Sequence, residues 1–387
     1  MLLKTNNGKW RLITLWQNSI ISQRLYLYND VSPHPIAAGF TATNALLARI
    51  FWRKLEHSSI FPYGIKMPGL ARELRQLIEG RRSKKNLKKL IKWLQRRRLI
   101  KKKMKCNFCH HTMKIEQKCR GVDKCEWVCR RRAKHKGIVR KSIRHQTIFS
   151  KSKMCLFSWM RFLYRFAQGL RLRQVDMITD DIAASSATLT RMAKHMRNVC
   201  VEAVERMRRK RGQRLGGRRE FVAIDESHFR HKRKYGRGRI TGGWKRKKWV
   251  FGMLGVKHSR RRPILRLVPK RTRQELVPLI VHHIRRGTSV LSDEWRAYRQ
   301  VLPALGYDHY TVNHSQAFVN ADTGCHTQHI ERAWRSYKEI ISRCRGNRTE
   351  DLLTDHLTLI EWNEWLAKKH RNGPLGRLLH DIAKKYK

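Results

Sequence analysis

Asp225, Asp293 and Glu331 are the side chains whose types and settings point to chemistry. Asp225 lies in FVAIDESHF, an alternating run in which Val222 and Ile224 share one face of a strand. Asp293 follows the short apolar run TSVLS. Glu331 opens an amphipathic stretch, IERAWRSYKEII, and Lys338 follows it by two helical turns on the same helix face. Three carboxylates in a strongly basic chain are hard oxygen donors suited to paired Mg²⁺ or Mn²⁺ ions acting on a phosphodiester. Glu226 and Glu294 are adjacent competitors, but strand alternation turns them away from Asp225 and Asp293. His326 and His329 read as loop or supporting groups, because two-metal chemistry favours oxygen ligands. On spacing alone Lys338 is open between a phosphate contact and a solvated lysine.

A second constellation is the segment CNFCHHTMKIEQKCRGVDKCEWVCRRRAKH. Cys106 and Cys109 form a CxxC knuckle, whose spacing lets two thiolates grip one tetrahedral Zn²⁺. The other two ligands come from Cys119, Cys125, Cys129 and His135. Cys129 and His135 are the chosen pair, with Cys125 as the main substitute. A small Lys- and Arg-rich segment has little core in which to bury unligated cysteines, so a structural zinc ion supplies the folding energy it lacks.

The elements that must position these groups follow from periodicity. Residues 1–68 show no persistent period and receive no function. Residues 69–103 form a basic helical segment, with apolar positions at Leu87, Leu90, Ile91, Leu94 and Leu99. DNA contact and simple packing are equally open for it. Residues 104–144 are the metal module. Residues 145–207 are helical, and Ser185-Ser186 cap a helix expected to run through Val199. Helix, short turn and capped helix fit a helix-turn-helix with Arg191, Lys194 and Arg197 outward, against the alternative of an ordinary three-helix bundle. The run RRKRGQRLGGRRE, within 208–220, reads as a basic linker. From 221 to 345 the order is three strands, a helix, a strand, a helix, a strand and a final helix. That is the order of a ribonuclease-H-like α/β core, in which Asp225, Asp293 and Glu331 converge. Residues 346–387 form a helical flank with Trp362 and Trp365 in its core.

Composition narrows the partner. Lysine and arginine total 88 against 28 acidic residues, a formal net charge of +60 in 387 residues, with a pI near 11.2. Self-repulsion on that scale calls for a polyanionic partner, nucleic acid ahead of an anionic membrane surface. Arg208, Arg209 and Lys210, and Arg237, Arg239, Lys245 and Arg246 in the basic stretch 230–248, are the candidate phosphate contacts. No apolar run of membrane-spanning length occurs, no convincing secretory signal is present, and neither a membrane nor a small-molecule substrate is expected. Five of the nine cysteines fall between Cys106 and Cys129, which favours metal binding over a disulfide framework.

The segments AIDESHFRHKRKYGRGR, LSDEWRAY and DTGCHTQHIERAWRSYK, with the upstream KWLQRRRLIKKKMKCNFCHHTM, resemble transposases of the Merlin superfamily and their bacterial insertion-sequence relatives. The resemblance spans roughly residues 85–365 and is most specific in the His-Thr-Gln-x-Ile-Glu-x-x-Trp arrangement. It implies a zinc-ribbon-like module, a helix-turn-helix and a DDE catalytic core, with Asp225, Asp293 and Glu331 as metal-binding carboxylates and Lys338 as the accompanying lysine. It also implies binding to double-stranded DNA, both terminal inverted repeats and target DNA, metal-dependent cleavage and strand transfer, and a homo-oligomer on DNA. The location would be the nucleus of a eukaryote or the cytoplasm and nucleoid of a bacterium. The chain departs from the pattern in the zinc module, where His135 stands at a cysteine position and Cys119 and Cys125 are extra. Two rivals remain: a transposon-derived DNA-binding protein without catalytic activity, and a basic RNA-binding protein with a zinc ribbon.

Overall fold

The computed structural model describes residues 2–4, 10–12, 69–79, 82–118, 121–131, 134–169, 182–183, 185–229, 248–258, 260–293, 298, 300–312, 328–343 and 349–386. The chain divides into two units, Met1–Met67 and Pro68–Lys387. In the first, strands β1 (Leu2–Lys4) and β2 (Trp10–Leu12) pair antiparallel, with Leu2 opposite Leu12. The second unit carries every candidate residue.

The basic segment expected as one helical stretch is two helices, α1 (Gly69–Glu79) and α2 (Lys84–Arg96). Ser83 caps α2, its hydroxyl accepting from the Asn86 N–H at 3.1 Å. The expected apolar stripe is inward: Leu90, Ile91, Leu94 and Leu99 are all buried. The metal module follows as an antiparallel sheet of β3 (Lys114–Gln117), β4 (Cys125–Cys129) and β5 (Val139–Ser142), with β4 central. A buried bidentate pair anchors it. Arg144 donates to both Asp123 oxygens at 2.5 and 2.6 Å, and to the Ser152 and Met154 carbonyls further along the chain.

Helix α3 (Leu156–Ala167) precedes α4 (Ser186–Arg211). Ser185 caps α4, accepting from the Thr188 N–H. The helix does not stop at Val199; it runs 26 residues, because Cys200, Ala203 and Val204 continue its buried stripe. The turn and short helix expected between α3 and α4 lie largely outside the described residues. The stretch 208–220 is not a free linker. Gln213, Leu215 and Glu220 are buried, and Leu215 exchanges hydrogen bonds with His283 and Arg285 backbone groups. Composition misled here because one apolar residue, Leu215, is enough to stitch a basic segment into a core.

The large sheet contains β6 (Phe221–Ser227), β7 (Trp249–Lys257), β8 (Arg260–Val268), β9 (Ser289–Asp293) and β10 (Asp308–Val312), in the spatial order β10-β9-β6-β7-β8. Strands β6, β7 and β8 form an antiparallel meander, while β9 runs parallel to both β6 and β10. Helices α5 (Arg273–His283), α6 (Val301–Ala304) and α7 (Gln328–Arg343) come after β8, β9 and β10, which is the predicted order of elements. Alternation sends Val222 and Ile224 into a core with Leu276 and Ile280 of α5, and sends Ala223 into a second core with Ile330, Trp334 and Tyr337 of α7. The sheet is therefore covered on both faces.

The C-terminal flank is helical, with α8 (Glu350–Trp362), a π-helical turn at Asn363–Ala367 and α9 (Gly373–Lys385). Trp362 and Trp365 are buried as expected, their indole N–H groups donating to Asp381 at 2.9 Å and to the Pro263 carbonyl at 2.6 Å. Pro263 sits on β8, an edge strand, where a missing N–H is tolerated. Glu361, 1% exposed, accepts from Arg208, Gln213, Arg266 and the Leu265 N–H at 2.6–2.8 Å. One carboxylate thus joins the end of α4, strand β8 and α8. Among the described residues no helix is long and apolar enough to cross a membrane.

Candidate functional site

Asp225 is the fifth residue of β6 and faces α7. The Trp334 indole N–H donates to its Oδ2 at 2.7 Å, and the Glu226 N–H to its Oδ1, also at 2.7 Å. Trp334 can approach because β7 has no side chain at Gly252, the residue paired with Asp225. A Cβ at Gly252 would lie 2.5 Å from the indole ring. Burial pushes the Asp225 carboxyl up to about 6. The Trp334 and Glu226 hydrogen bonds oppose the rise, and the charges of Asp293 and Glu331 add to it.

The β6–β9 register runs Val222 beside Val290 and Ala223 beside Leu291. The same offset carried two residues beyond the paired stretch puts Asp293 in register with Asp225, and its charge acts on the Asp225 carboxyl. Leu291 belongs to the α7-facing core, so alternation turns Asp293 to that side too. Glu331 is exposed in the first turn of α7, one turn before Trp334. The three carboxylates therefore gather on one face, at one end of the parallel strands. Their oxygens are not drawn as tight as a ligand shell: among the described residues, only the cysteine–histidine group discussed below has its donor atoms all within 4.8 Å.

Lys338 lies on the same face of α7, its Nζ 5.9 Å from the centre of the Phe229 ring, which in turn packs edge-on against Trp334. Glu226 points through the sheet the other way. It accepts from the Tyr298 hydroxyl and lies 4.0 Å from Arg271. Burial pushes its carboxyl up to about 7, and burial together with Glu226 raises Tyr298 as well. Sequence reading did not anticipate Trp334, Gly252 or Tyr298 as partners of these carboxylates. The available signal was the tryptophan one helical turn after Glu331. Glu294 and His326 lie outside the described residues. His329 is packed 5.6 Å from Phe221, ring centre to ring centre.

The second group is Cys106, Cys109, Cys129 and His135, whose ligand atoms all lie within 4.8 Å of one another. The knuckle is a tight hairpin: Cys106 N–H donates to the His111 carbonyl and His110 N–H to the Cys106 carbonyl. The Cys109 backbone amide holds the Cys106 thiol down at about 7. Cys129 ends β4, its sulfur 3.5 Å from Cys109 Sγ and 3.3 Å from His135 Nε2. His135 Nδ1 lies 3.2 Å from the Gly137 carbonyl, which as an acceptor fixes the N–H on Nδ1 and leaves Nε2 as the donor atom. Three thiols and one imidazole are the donor set of a tetrahedral structural zinc site. Cys125, the substitute, shares a strand face with Cys129 but sits four residues away, about 13 Å along the strand. Burial pushes its thiol up to about 11. Cys119 lies outside the described residues.

The expected DNA-contacting cations separate into three sets. Arg191, Lys194, Arg209 and Lys210 are exposed along α4. Arg197 and Arg208 turn inward, Arg197 towards Asp355 at 3.9 Å and Arg208 to Glu361 at 2.8 Å. Each thus has a carboxylate neighbour within the protein. Arg237, Arg239, Lys245 and Arg246 lie outside the described residues.

Residues 214–351 match the ISXO2-like transposase domain. That stretch spans the whole five-stranded sheet and α7, and its start coincides with Leu215, the point where the basic segment enters the core. Over this part the chain is similar to insertion-sequence DDE transposases. No curated protein and no solved structure matches the chain.

Proposed function

We propose that the chain is a DNA transposase that binds the terminal inverted repeats of its element and catalyses metal-dependent DNA cleavage and strand transfer. The observation that carries the reading is the gathering of Asp225, Asp293 and Glu331 on the α7 face of the sheet, inside the segment that matches a transposase domain. The strand order β10-β9-β6-β7-β8 supports a ribonuclease-H-like core for residues 221–345. The kinship with Merlin elements remains part of the same proposal.

Asp225, Asp293 and Glu331 offer hard oxygens that fit Mg²⁺ or Mn²⁺. When bound there, such ions lower the pKa of an attacking water or 3′-hydroxyl and stabilise the leaving oxygen. Trp334 and the Glu226 amide fix the Asp225 carboxylate in one orientation before DNA arrives. Lys338, on the same helix face as Glu331, is positioned to pair with a phosphate beside the scissile bond. The residues around Cys106, Cys109, Cys129 and His135 form a zinc-ribbon-like module, and 145–207 a helix-turn-helix in which Arg191 and Lys194 meet DNA. Two copies of the chain hold the two element ends together.

The test is strand transfer from a pre-cleaved repeat end with Mg²⁺, run with the native protein and Asp225→Asn. The reading expects product from the native chain and none from the variant, with repeat binding kept by both. Equal activity in the two overturns it. Repeat binding without any cleavage leaves a transposon-derived DNA-binding protein.

A further inference from the structure

The two N-terminal helices carry a surface that the carboxylate site does not use. From Gly80 to Ile115 the chain contains 15 lysines and arginines and no aspartate or glutamate. On α2, Lys84, Lys85, Lys88, Lys89 and Lys92 are exposed, and at 100° per residue they fall within one arc of about 140°. Among the described residues none of these five has a carboxylate partner. Arg96 and Arg97, by contrast, both donate to Glu73, at 3.2 and 3.1 Å. Packing does not explain the row, because the opposite face of α2 already buries Leu90, Ile91, Trp93 and Leu94. That buried face also leaves no apolar side with which the helix could enter a lipid surface.

Between α1 and α2 lies a groove of about 780 Å³, lined by Lys89, Lys92 and Lys102 with the amides of Gln76 and Asn86. Its one carboxylate, Glu73, is neutralised by the two arginines. The lining thus combines ammonium and amide groups with the apolar surface of Leu77 and the lysine stems.

We propose that α2 is a phosphate clamp for duplex DNA, gripping the backbone with Lys85, Lys88, Lys89 and Lys92 at a place separate from the exposed cations of α4. The row rises about 1.5 Å per residue along a straight rod, which suits a stiff, linear polyanion. Ammonium groups act as point charges on phosphates, whereas bidentate arginines would be the choice for reading guanine edges. The clamp therefore adds affinity without adding sequence preference. It rests on the reading of this chain as a DNA-binding protein, but not on the carboxylates.

The experiment compares the native chain with the triple variant Lys85→Gln, Lys88→Gln, Lys92→Gln and with the matching triple change to arginine. Equilibrium binding is measured from 50 to 300 mM salt on a terminal-repeat duplex and on a scrambled duplex. Each lost phosphate contact removes about 0.9 from the salt slope, so the glutamine triple should lose about 2.7. At 0.15 M salt the same relation gives binding about 10²-fold weaker, equally on both duplexes. The arginine triple should keep the native slope, and all three proteins should melt alike because the changed side chains are exposed. Introducing Asp225→Asn should leave every slope unchanged, which separates this clamp from the catalytic reading. An unchanged slope in the glutamine triple overturns the proposal. A loss confined to the repeat duplex, or seen with single-stranded RNA or anionic vesicles but not with duplex, overturns it as well.

Discussion

The contact between Gly252 and Trp334 can be tested by a double-mutant cycle. A methyl group at Gly252 would stand 2.5 and 2.6 Å from the Cη2 and Cζ2 atoms of Trp334. Relief to ordinary contact requires the indole to move about 1 Å, since carbon atoms settle near 3.5–4.0 Å. The ring is wedged between Phe229 and Tyr337, at 5.7 and 6.2 Å between centres, so little room exists for that shift. A 1 Å displacement also carries the 2.7 Å hydrogen bond to Asp225 beyond bonding range. Overpacking costs about 1–3 kcal/mol, and a lost hydrogen bond to a charged group about 1.5–3 kcal/mol. Gly252→Ala should therefore destabilise by at least about 2 kcal/mol. Trp334→Phe loses the hydrogen bond too, but it also deletes the two clashing atoms. In the double variant the alanine then adds little, and the total should fall about 2 kcal/mol below the sum of the singles. Urea unfolding of the four proteins at pH 7 measures this, and carbon NMR of the Asp225 carboxyl should find its titration above 6 in both single variants. Additivity within about 0.5 kcal/mol, with an unmoved Asp225 titration, would refute the reasoning.

Removing zinc with a chelator should unfold the module 104–144; metal analysis and circular dichroism should find metal binding lost in Cys129→Ser and retained in Cys125→Ser. Glu361→Ala leaves Arg266 and Arg208 without their shared partner and should cost about 3–5 kcal/mol in urea unfolding, more than an exposed pair such as Lys368–Glu364. His283 is buried as a neutral ring with a pKa pushed down to about 4 by burial and then by Arg266, against 6.5 when exposed. Its contribution to stability is full above pH 6.5 and is lost as pH falls towards 4, by up to about 3 kcal/mol. Asp225 and Glu226 titrate in the opposite sense, so the loss is read as the stability difference between the native chain and His283→Asn, which should grow as pH rises from 4 to 6.5.

The strands and helices around the carboxylates were legible because each carries a clean period. Alternation in FVAIDES placed Asp225 and Glu226 on opposite faces, and the stripe Ile330, Trp334, Tyr337, Ile341 announced α7. The knuckle and the pair Cys129–His135 were readable from spacing. Tertiary contacts were not. Nothing local distinguishes Arg208 from Arg209, yet the first meets Glu361, 153 positions away, while the second faces solvent. Gly252 reads as a weak point in a strand until the indole that fills its place is known. The glycine pair near 216 suggested a flexible joint, although Gly216 N–H donates to Glu220 and Gly217 N–H to Thr288, which holds the turn rigid.

The fastening of α4 at its C-terminal end has a mechanical consequence. A helix of 26 residues is a rod of about 39 Å. Its tail is clamped by Glu361 through Arg208, and three residues past the Gly212 turn that ends the helix the chain is anchored in the core by the buried Leu215. If Arg191 and Lys194 near its head rest on DNA as proposed, the span from that footing to the carboxylates is set by the rod, like the jaw of a fixed caliper. Any mismatch between the bound repeat and the position of the cut must then be absorbed by curvature of the DNA rather than by the protein.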